Sequence, residues 1–311
     1  MKKFLLKTCW FILPLLLGGV IMELGLRNIP SEYEEKSRFL KKELPHIETL
    51  MLGSSHALYG LNSEILQTPA FNLSHVSQTI DLDLALLKKF GTQMPKLKRV
   101  IVTLSYFSMR ETLETTEESW RLGRYRQYYD LNILHNSIES FDLIRLPFNF
   151  NVTRLKQYYF QHQQDLLITP KGWSTKYRSN NPIKYLVSSS QQATGRHSIL
   201  QPDPLLIEEN KSNLKSIASW CAAHHVKLYL ITTPTYSAYR ERMDPIQWNE
   251  VQQQGYWIQN NFPGAVYLNW IADTEFEDAD FHDGDHLSEK GAIKITNRLQ
   301  NLFDSERLIS R

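Results

Sequence analysis

The sequence predicts an α/β domain in which helices cover both faces of a parallel sheet. Short apolar runs resemble buried strands, helical patterns separate them, and the chain is large enough to bury a full core. The strand-like runs are Thr49–Leu52, Ala70–Leu73, Val100–Leu104, Val226–Thr232 and Ala265–Leu268. The helical patterns cover Thr79–Phe90, Leu206–His224, Ile246–Asn261 and Ser288–Phe303. Such alternation is typical of right-handed βαβ units in a three-layer fold.

Composition supports a globular protein and excludes some function classes. The 311 residues are 42% hydrophobic and 22% charged, and the net charge is only +2. This charge does not indicate nucleic acid binding, and the sequence contains no run rich in Lys and Arg. The two cysteines, Cys9 and Cys221, have no zinc-site spacing, and Cys9 lies in an apolar segment. The fold is therefore expected to depend on packing rather than on disulfides.

The N-terminus predicts a membrane anchor over residues 1–27. Basic residues at Lys2, Lys3 and Lys7 precede an uncharged run from Cys9 to Met22. Counted from Phe4 to Leu26, the apolar stretch reaches the roughly 20 residues that a bilayer core requires. No small-residue cleavage site follows, so the segment is expected to be an uncleaved signal anchor, with the rest of the chain on the extracytoplasmic side of the cell membrane. A buried N-terminal helix is the alternative.

Two further segments interrupt the α/β pattern. Residues 28–47 are charged and are predicted to form a stalk, which leaves 48–311 as the main domain. Residues 110–201 are rich in aromatics mixed with Arg, Asn and Gln, which predicts a helical insertion or a lid. Its aromatic residues suit a sugar-binding surface, or they form a small core of their own.

A nucleophile is predicted where the first strand ends. The strand runs into Gly53-Ser54-Ser55, and a probable helix follows. Ligands of open parallel sheets bind beyond the carboxyl ends of the strands, where helix N-termini favour developing negative charge. Taken alone, this motif is weak evidence for a nucleophile and is more typical of an N-cap serine.

The block Asp283-Gly284-Asp285-His286 supplies a partner for that serine. A carboxylate three residues before a histidine can hold its Nδ1–H and leave Nε2 free as a base. Ser55, His286 and Asp283 would then complete a triad. A metal site formed by His282, Asp283, Asp285 and His286 is a competing interpretation.

Together these residues resemble the SGNH/GDSL hydrolase superfamily. Gly53-Ser54-Ser55 resembles its first block, with Ser55 as nucleophile, and Asp283 to His286 matches its last block. The resemblance implies a flavodoxin-like fold and an ester substrate, and no cofactor. It is nearest to the membrane-anchored DltD and alginate O-acetylation proteins, which implies a polysaccharide substrate and a membrane acyltransferase partner.

The other two blocks depart from the family pattern. Asn72 and Thr79 keep the second block, but Ser77 stands in its glycine place, and the resemblance implies that the N–H groups of Ser55 and Ser77 form the oxyanion hole. The third block lacks its Asn and has Ser105 after the strand. Asn72, Ser105 and Tyr236 are predicted to contact substrate, the last because Thr232–Tyr236 follows a strand on the same edge.

Two functions remain open at this point. The first is a serine esterase or O-acyltransferase that uses Ser55, His286 and Asp283. The second is a non-catalytic polysaccharide-binding or assembly protein on the same fold, which the missing Asn favours and the intact Asp-x-x-His opposes.

Overall fold

The computed structural model describes residues 1–131, 142–163, 166–177 and 183–309. Parts of the predicted insertion, including Phe141, lie outside the described residues. Contacts divide the chain into two compact units. The N-terminal unit comprises residues 1–35 and 117–166, and the sheet unit comprises 36–116 and 167–311.

The sheet unit contains a five-stranded parallel sheet in the order β2-β1-β3-β4-β5. Its strands are β1 (Thr49–Leu52), β2 (Ala70–Asn72), β3 (Arg99–Thr103), β4 (Lys227–Thr232) and β5 (Ala265–Asn269). This is the strand order of flavodoxin-like folds. The predicted α/β class is confirmed, and each strand lies within one residue of its predicted bounds, because buried parallel strands are continuous apolar runs.

Helices connect the strands. In the sheet unit they are α3 (Ser55–Gly60), α4 (Ile80–Phe90), α8 (Ile183–His197), α9 (Pro204–Ala223), α10 (Ser237–Arg240), α11 (Pro245–Asn261) and α12 (Glu289–Ile309). Asp203 and Asp244 begin α9 and α11 by accepting hydrogen bonds from backbone N–H groups, and each helix has Pro at its first position. A core cluster between the sheet and α12 includes Met51, Ile101, Tyr229 and Ile295.

The predicted stalk contains a helix, α2 (Glu32–Glu43), and its second half is packed. Lys36 and Leu40 are fully buried, and the Lys36 Nζ donates a hydrogen bond to the carbonyl of Ser74 beyond β2. A buried ammonium needs such a partner. Residues from Lys36 onward therefore belong to the sheet unit rather than to a free spacer.

The N-terminal unit begins with α1 (Lys2–Arg27), which is long and apolar enough to cross a membrane. Within the described residues it also contains α5 (Leu122–Tyr129), α6 (Asp142–Arg145), α7 (Phe148–Leu155) and a π-helical turn at Lys156–Phe160. Tyr33 packs edge-on against Tyr125 with ring centroids 5.4 Å apart. The region predicted as one insertion, 110–201, is thus divided: 117–166 belongs with α1, whereas 110–116 and 167–201 belong with the sheet.

Candidate active site

The topological switch point of the sheet positions the site. The strands β1 and β3 are neighbours in the sheet, and the chain leaves them toward opposite sides, which opens a crevice at their carboxyl ends. Ser55 follows β1, and Ser105 follows β3. The loop that carries Asp283 and His286 follows β5 and leads into α12. Three distant parts of the chain therefore meet at one edge.

Gly53 gives the turn after β1 its shape. Its φ is +121°, and a Cβ at this position would lie 2.1 Å from the Thr103 Oγ1, so only glycine fits. The Gly53 N–H donates to the buried Asp83 Oδ1 at 2.8 Å. Burial raises the pKa of Asp83 to about 7, although hydrogen bonds from Gln78 and Gly53 oppose the rise. The turn is held close to the end of β3.

Two adjacent serines leave this turn with different surroundings. Ser54 is buried and begins α3 as its N-cap, accepting a hydrogen bond from the His56 N–H at 3.3 Å. Ser55 is the first residue of α3 and is half-buried. Its N–H has no acceptor within the helix, because the first helical N–H groups never do. Of the pair, Ser55 is the hydroxyl that a ligand can reach.

Ser55, His286 and Asp283 are joined by hydrogen bonds. The His286 Nε2 lies 2.8 Å from the Ser55 Oγ, and its Nδ1 lies 3.0 Å from the Asp283 Oδ1. Asp283 also accepts the backbone N–H groups of Asp285 and His286, which fixes the loop. With Nδ1–H bonded to the carboxylate, Nε2 is the nitrogen that can accept the Ser55 proton.

A second carboxylate acts on the same imidazole. Asp285 is buried, and its Oδ1 lies 3.5 Å from the His286 Nδ1. Burial lowers the pKa of His286, but the charges of Asp285 and then Asp283 outweigh it and raise that pKa to about 9. Burial likewise raises the pKa of Asp285, yet His286 and His56 hold it well below its usual range. Asp285 is thus an anion beside the base.

On the buried side of the site, a chain of hydrogen bonds links Ser105, which follows β3, to Asp285. The Ser105 Oγ lies 3.2 Å from the Ser54 Oγ and 2.8 Å from the His56 Nδ1. The His56 Nε2 lies 3.4 Å from the Asp285 Oδ2. With Asp285 ionised, His56 Nε2–H donates to it and Nδ1 accepts the Ser105 O–H. No sequence pattern indicates His56 as a site residue, because it is a single histidine 229 positions from its partner.

Residues 167–201 add further side chains to the site. The Tyr177 ring stacks on His282 at 3.7 Å and meets His286 edge-on at 5.4 Å. The His197 Nδ1 lies 3.7 Å from the Asp285 Oδ2. Burial lowers the pKa of His197 to about 4, so it stays neutral. A Cβ on Gly284 would lie 2.3 Å from the Ser190 Cα, which shows how closely α8 covers the loop.

Of the three residues predicted to contact substrate, Asn72 and Ser105 have buried partners instead, and Tyr236 is partly exposed beside the Gly284 loop. Asn72 is fully buried, and its amide donates to the carbonyls of Ala57 and Leu61. Ser105 is committed to the buried chain described above. Tyr236 donates its backbone N–H to the Gly284 carbonyl and packs against Phe281. Asn72 and Ser105 therefore support the site from behind, which corrects their assignment, and substrate contact by Tyr236 stays a prediction.

Ser77 has the conformation that its glycine place in the resemblance implies. Its φ is +57°, in the left-handed region that favours glycine. The oxyanion role of the Ser55 and Ser77 N–H groups remains a prediction.

The predicted metal site has a different composition in the structure. Among the described residues, His56, Asp285 and His286 bring ligand atoms within 4.8 Å of one another. His282 instead stacks on Tyr177, and Asp283 holds the His286 Nδ1. The imidazole nitrogens of the trio already have hydrogen-bond partners, which disfavours metal coordination.

Comparison with known proteins gives matches among solved structures alone. No family model matches the chain, and no curated protein matches it. A structure from Bacteroides fragilis, provisionally described as an acylhydrolase, covers 86% of this chain and 95% of its own at 11% identity, with a TM-score of 0.42. A GDSL-like lipase from Bacteroides thetaiotaomicron covers 88% and 99% at 9% identity, with a TM-score of 0.41. A Streptococcus pneumonia structure, provisionally described as a platelet activating factor, covers 91% and 98% at 10% identity and 0.41. At such scores the chemistry must be derived from this chain's own residues.

Proposed function

We propose that the protein is a serine esterase or O-acyltransferase acting on acyl esters. The observation that carries this proposal is the 2.8 Å contact between the accessible Ser55 Oγ and the His286 Nε2, with Asp283 on the other nitrogen. A serine hydroxyl is a weak nucleophile until a base removes its proton, and this arrangement supplies the base and its orienting carboxylate. A protein that only binds has no use for it.

The reaction follows from these positions. The Ser55 Oγ attacks the ester carbonyl while its proton passes to the His286 Nε2, and the imidazolium is stabilised by Asp283 and Asp285. The tetrahedral oxyanion lies at the N-terminus of α3, where the Ser55 N–H can donate to it. His286 then gives its proton to the leaving alcohol. Water or an acceptor hydroxyl, deprotonated by His286, releases the acyl group from Ser55.

The finer proposal is that the ester belongs to a cell-surface polysaccharide. Its support is a pair of half-buried aromatic side chains beside the catalytic loop, Tyr177 next to His286 and Tyr236 next to Gly284, since sugar-binding sites commonly contain aromatic residues. The apolar α1 supports a membrane location, and the basic residues before it support an extracytoplasmic domain. A membrane acyltransferase that loads Ser55 is the partner expected in a transfer reaction.

Hydrolysis of p-nitrophenyl acetate by the full chain in detergent tests the chemistry. Ser55→Ala and His286→Ala should each remove at least about 1,000-fold of kcat, because serine and histidine act as a unit. Ser54→Ala is the matched control, since it deletes the neighbouring hydroxyl and should keep most activity. Activity that survives Ser55→Ala would overturn the proposal.

A second assay separates hydrolase from transferase and tests the finer proposal. An acetylated glycan oligosaccharide and its deacetylated form are offered together with the p-nitrophenyl ester. Acetyl gain on the deacetylated glycan, with Ser55→Ala inactive, indicates transfer, and acetate release from the acetylated form indicates hydrolysis. If neither glycan reacts while the small ester does, the polysaccharide assignment is wrong and the ester chemistry stands. Protease protection in sealed membrane vesicles checks the orientation.

A further inference from the structure

The N-terminal unit exposes an apolar segment that its own core does not use. It covers residues 142–160, comprising α6, α7 and the π-helical turn, and we call it the α6–α7 segment. Phe148 is 68% exposed and Phe160 is 80% exposed. The other large apolar side chains exposed along it are Ile144, Phe150, Val152 and Tyr159. Clusters of exposed apolar residues in soluble surroundings mark interaction sites.

This segment is attached to the last turns of α1. The Glu23 carboxylate accepts the backbone N–H groups of Asp142 and Leu143 at 3.3 and 3.1 Å, and Glu23 is only 7% exposed. The Tyr159 hydroxyl donates to the Gly25 carbonyl at 3.1 Å. The acidic residue that interrupts the apolar run therefore holds α6 in place, and it does not extend away toward solvent.

The attachment points fix a depth relative to a bilayer. The 26 residues of α1 extend about 39 Å, against a hydrocarbon core of about 30 Å. Glu23 and Gly25 lie within the last five residues of α1, so they lie within about 8 Å of its end. A helix that crosses the membrane with its basic N-terminus inside brings this end to the outer interface. The α6–α7 segment must then lie at headgroup depth.

The composition of the segment suits that depth. Tyr158 and Tyr159 are of a type that collects at membrane–water interfaces, and Phe148, Phe150 and Phe160 are of a type that interfacial segments bury at the headgroup boundary. The exposed Lys156 lies between them and adds a positive charge that anionic headgroups attract.

We infer that the α6–α7 segment is a second membrane contact, inserted into the outer lipid interface beside α1. The occupant of its exposed apolar surface is the lipid bilayer, because the segment is hydrogen-bonded to the last turns of α1, whose own large apolar side chains are exposed. Residues 142–160 include no member of the Ser55 site, so the inference does not depend on the proposed chemistry.

Fluorescence quenching by brominated lipid tests this contact. The full chain, with Cys9 replaced by Ser, is placed at one chain per lipid nanodisc. Phe148→Cys and Phe160→Cys are each labelled with the environment-sensitive dye NBD. Gln127→Cys is the matched control, because Gln127 is exposed in the same unit and α5 packs against Tyr33, beyond the end of α1. Cys221 is buried and should not react.

We expect labels at 148 and 160 to lose about half of their fluorescence when the phosphatidylcholine carries bromine near the interface, and the label at 127 to lose little. Equal, weak quenching at all three positions would overturn the inference. Blue-shifted emission at 148 and 160 without quenching would also overturn it, because the surface would then be covered by protein. Reversal of that blue shift on dilution would identify a second copy as the cover.

Discussion

The buried Asp285 should set the pH at which the enzyme becomes active. His286 must be neutral to accept the Ser55 proton, and its pKa is raised to about 9 mainly by Asp285 and then by Asp283. The rise from the ordinary 6.5 corresponds to roughly 3 kcal/mol in favour of the imidazolium. Because the charged form is favoured, activity should be low at neutral pH and should increase as pH rises through about 9.

Asp285→Asn removes the carboxylate whose charge raises the pKa of His286 more, and it keeps the shape of the side chain. The neutral amide leaves Asp283 to orient His286, so the histidine should still act as a base, but with a lower pKa. We expect the acid limb of kcat/KM to move down by at least about one pH unit. Other charged and titratable groups around the imidazole are His56, Tyr177, Arg196 and His197, and the substitution leaves them in place.

The assay is kcat/KM for p-nitrophenyl acetate across the neutral and alkaline range, which reports the free enzyme's base. Asp278→Asn is the control, because this carboxylate is exposed in the stretch before the same loop. If the acid limb of the unsubstituted protein lies near the ordinary histidine pKa, the carboxylates do not raise the pKa of His286. If the acid limb does not move in Asp285→Asn, Asp285 is not the cause of a raised pKa.

Further predictions concern Gly53 in the turn after β1, Ser77 in its left-handed conformation, and the dependence of ester hydrolysis on a metal. Gly53→Ala should lower the free energy of unfolding by about 2–4 kcal/mol, because its Cβ would lie 2.1 Å from the Thr103 Oγ1 at a φ of +121°. Adding Thr103→Ala should restore part of the loss in urea unfolding, and no restoration would argue against the clash. Ser77→Gly should raise stability by up to about 1 kcal/mol with esterase activity retained, because φ is +57° there; a clear loss of thermal stability would contradict this. Prolonged treatment with a chelator should leave ester hydrolysis unchanged, since Asp283 already occupies the His286 Nδ1. Activity that disappears with the chelator and returns with zinc would instead support a metal at His56, Asp285 and His286.

The sequence was sufficient for the sheet and for the pairing of Ser55 with His286. Buried parallel strands are short apolar runs, so each one could be located to within a residue. The carboxyl ends of such strands share one edge, so a serine after the first strand and an Asp-x-x-His after the last could be expected to meet.

The buried residues that support the triad could not be predicted from the sequence, for physical reasons. His56 lies one residue after Ser55 and carries no spacing that links it to Asp285, because their contact exists only through the fold. Asp285 was visible as a metal-ligand candidate, but its burial beside His286 depends on α8 covering the loop. Asn72 was assigned to substrate because the sequence does not show that the carbonyls of Ala57 and Leu61 already accept from its amide.

At the N-terminus, too, the sequence predicts the helix but not its long-range contacts. The length and hydropathy of α1 predicted a helix able to span a membrane, and the structure confirms that helix. Glu23 lies near the end of this apolar stretch, and its carboxylate accepts hydrogen bonds from the start of α6. That contact joins residues about 120 positions apart, beyond the reach of any local pattern.

The most direct test of the central claim is covalent labelling of the full chain with a fluorophosphonate, followed by peptide mapping. The proposed triad predicts one phosphonyl group on Ser55, with no labelling in Ser55→Ala or His286→Ala and labelling retained in Ser54→Ala. A folded parent that does not react, or a label that maps to another residue, would contradict the assignment of Ser55 as an activated nucleophile.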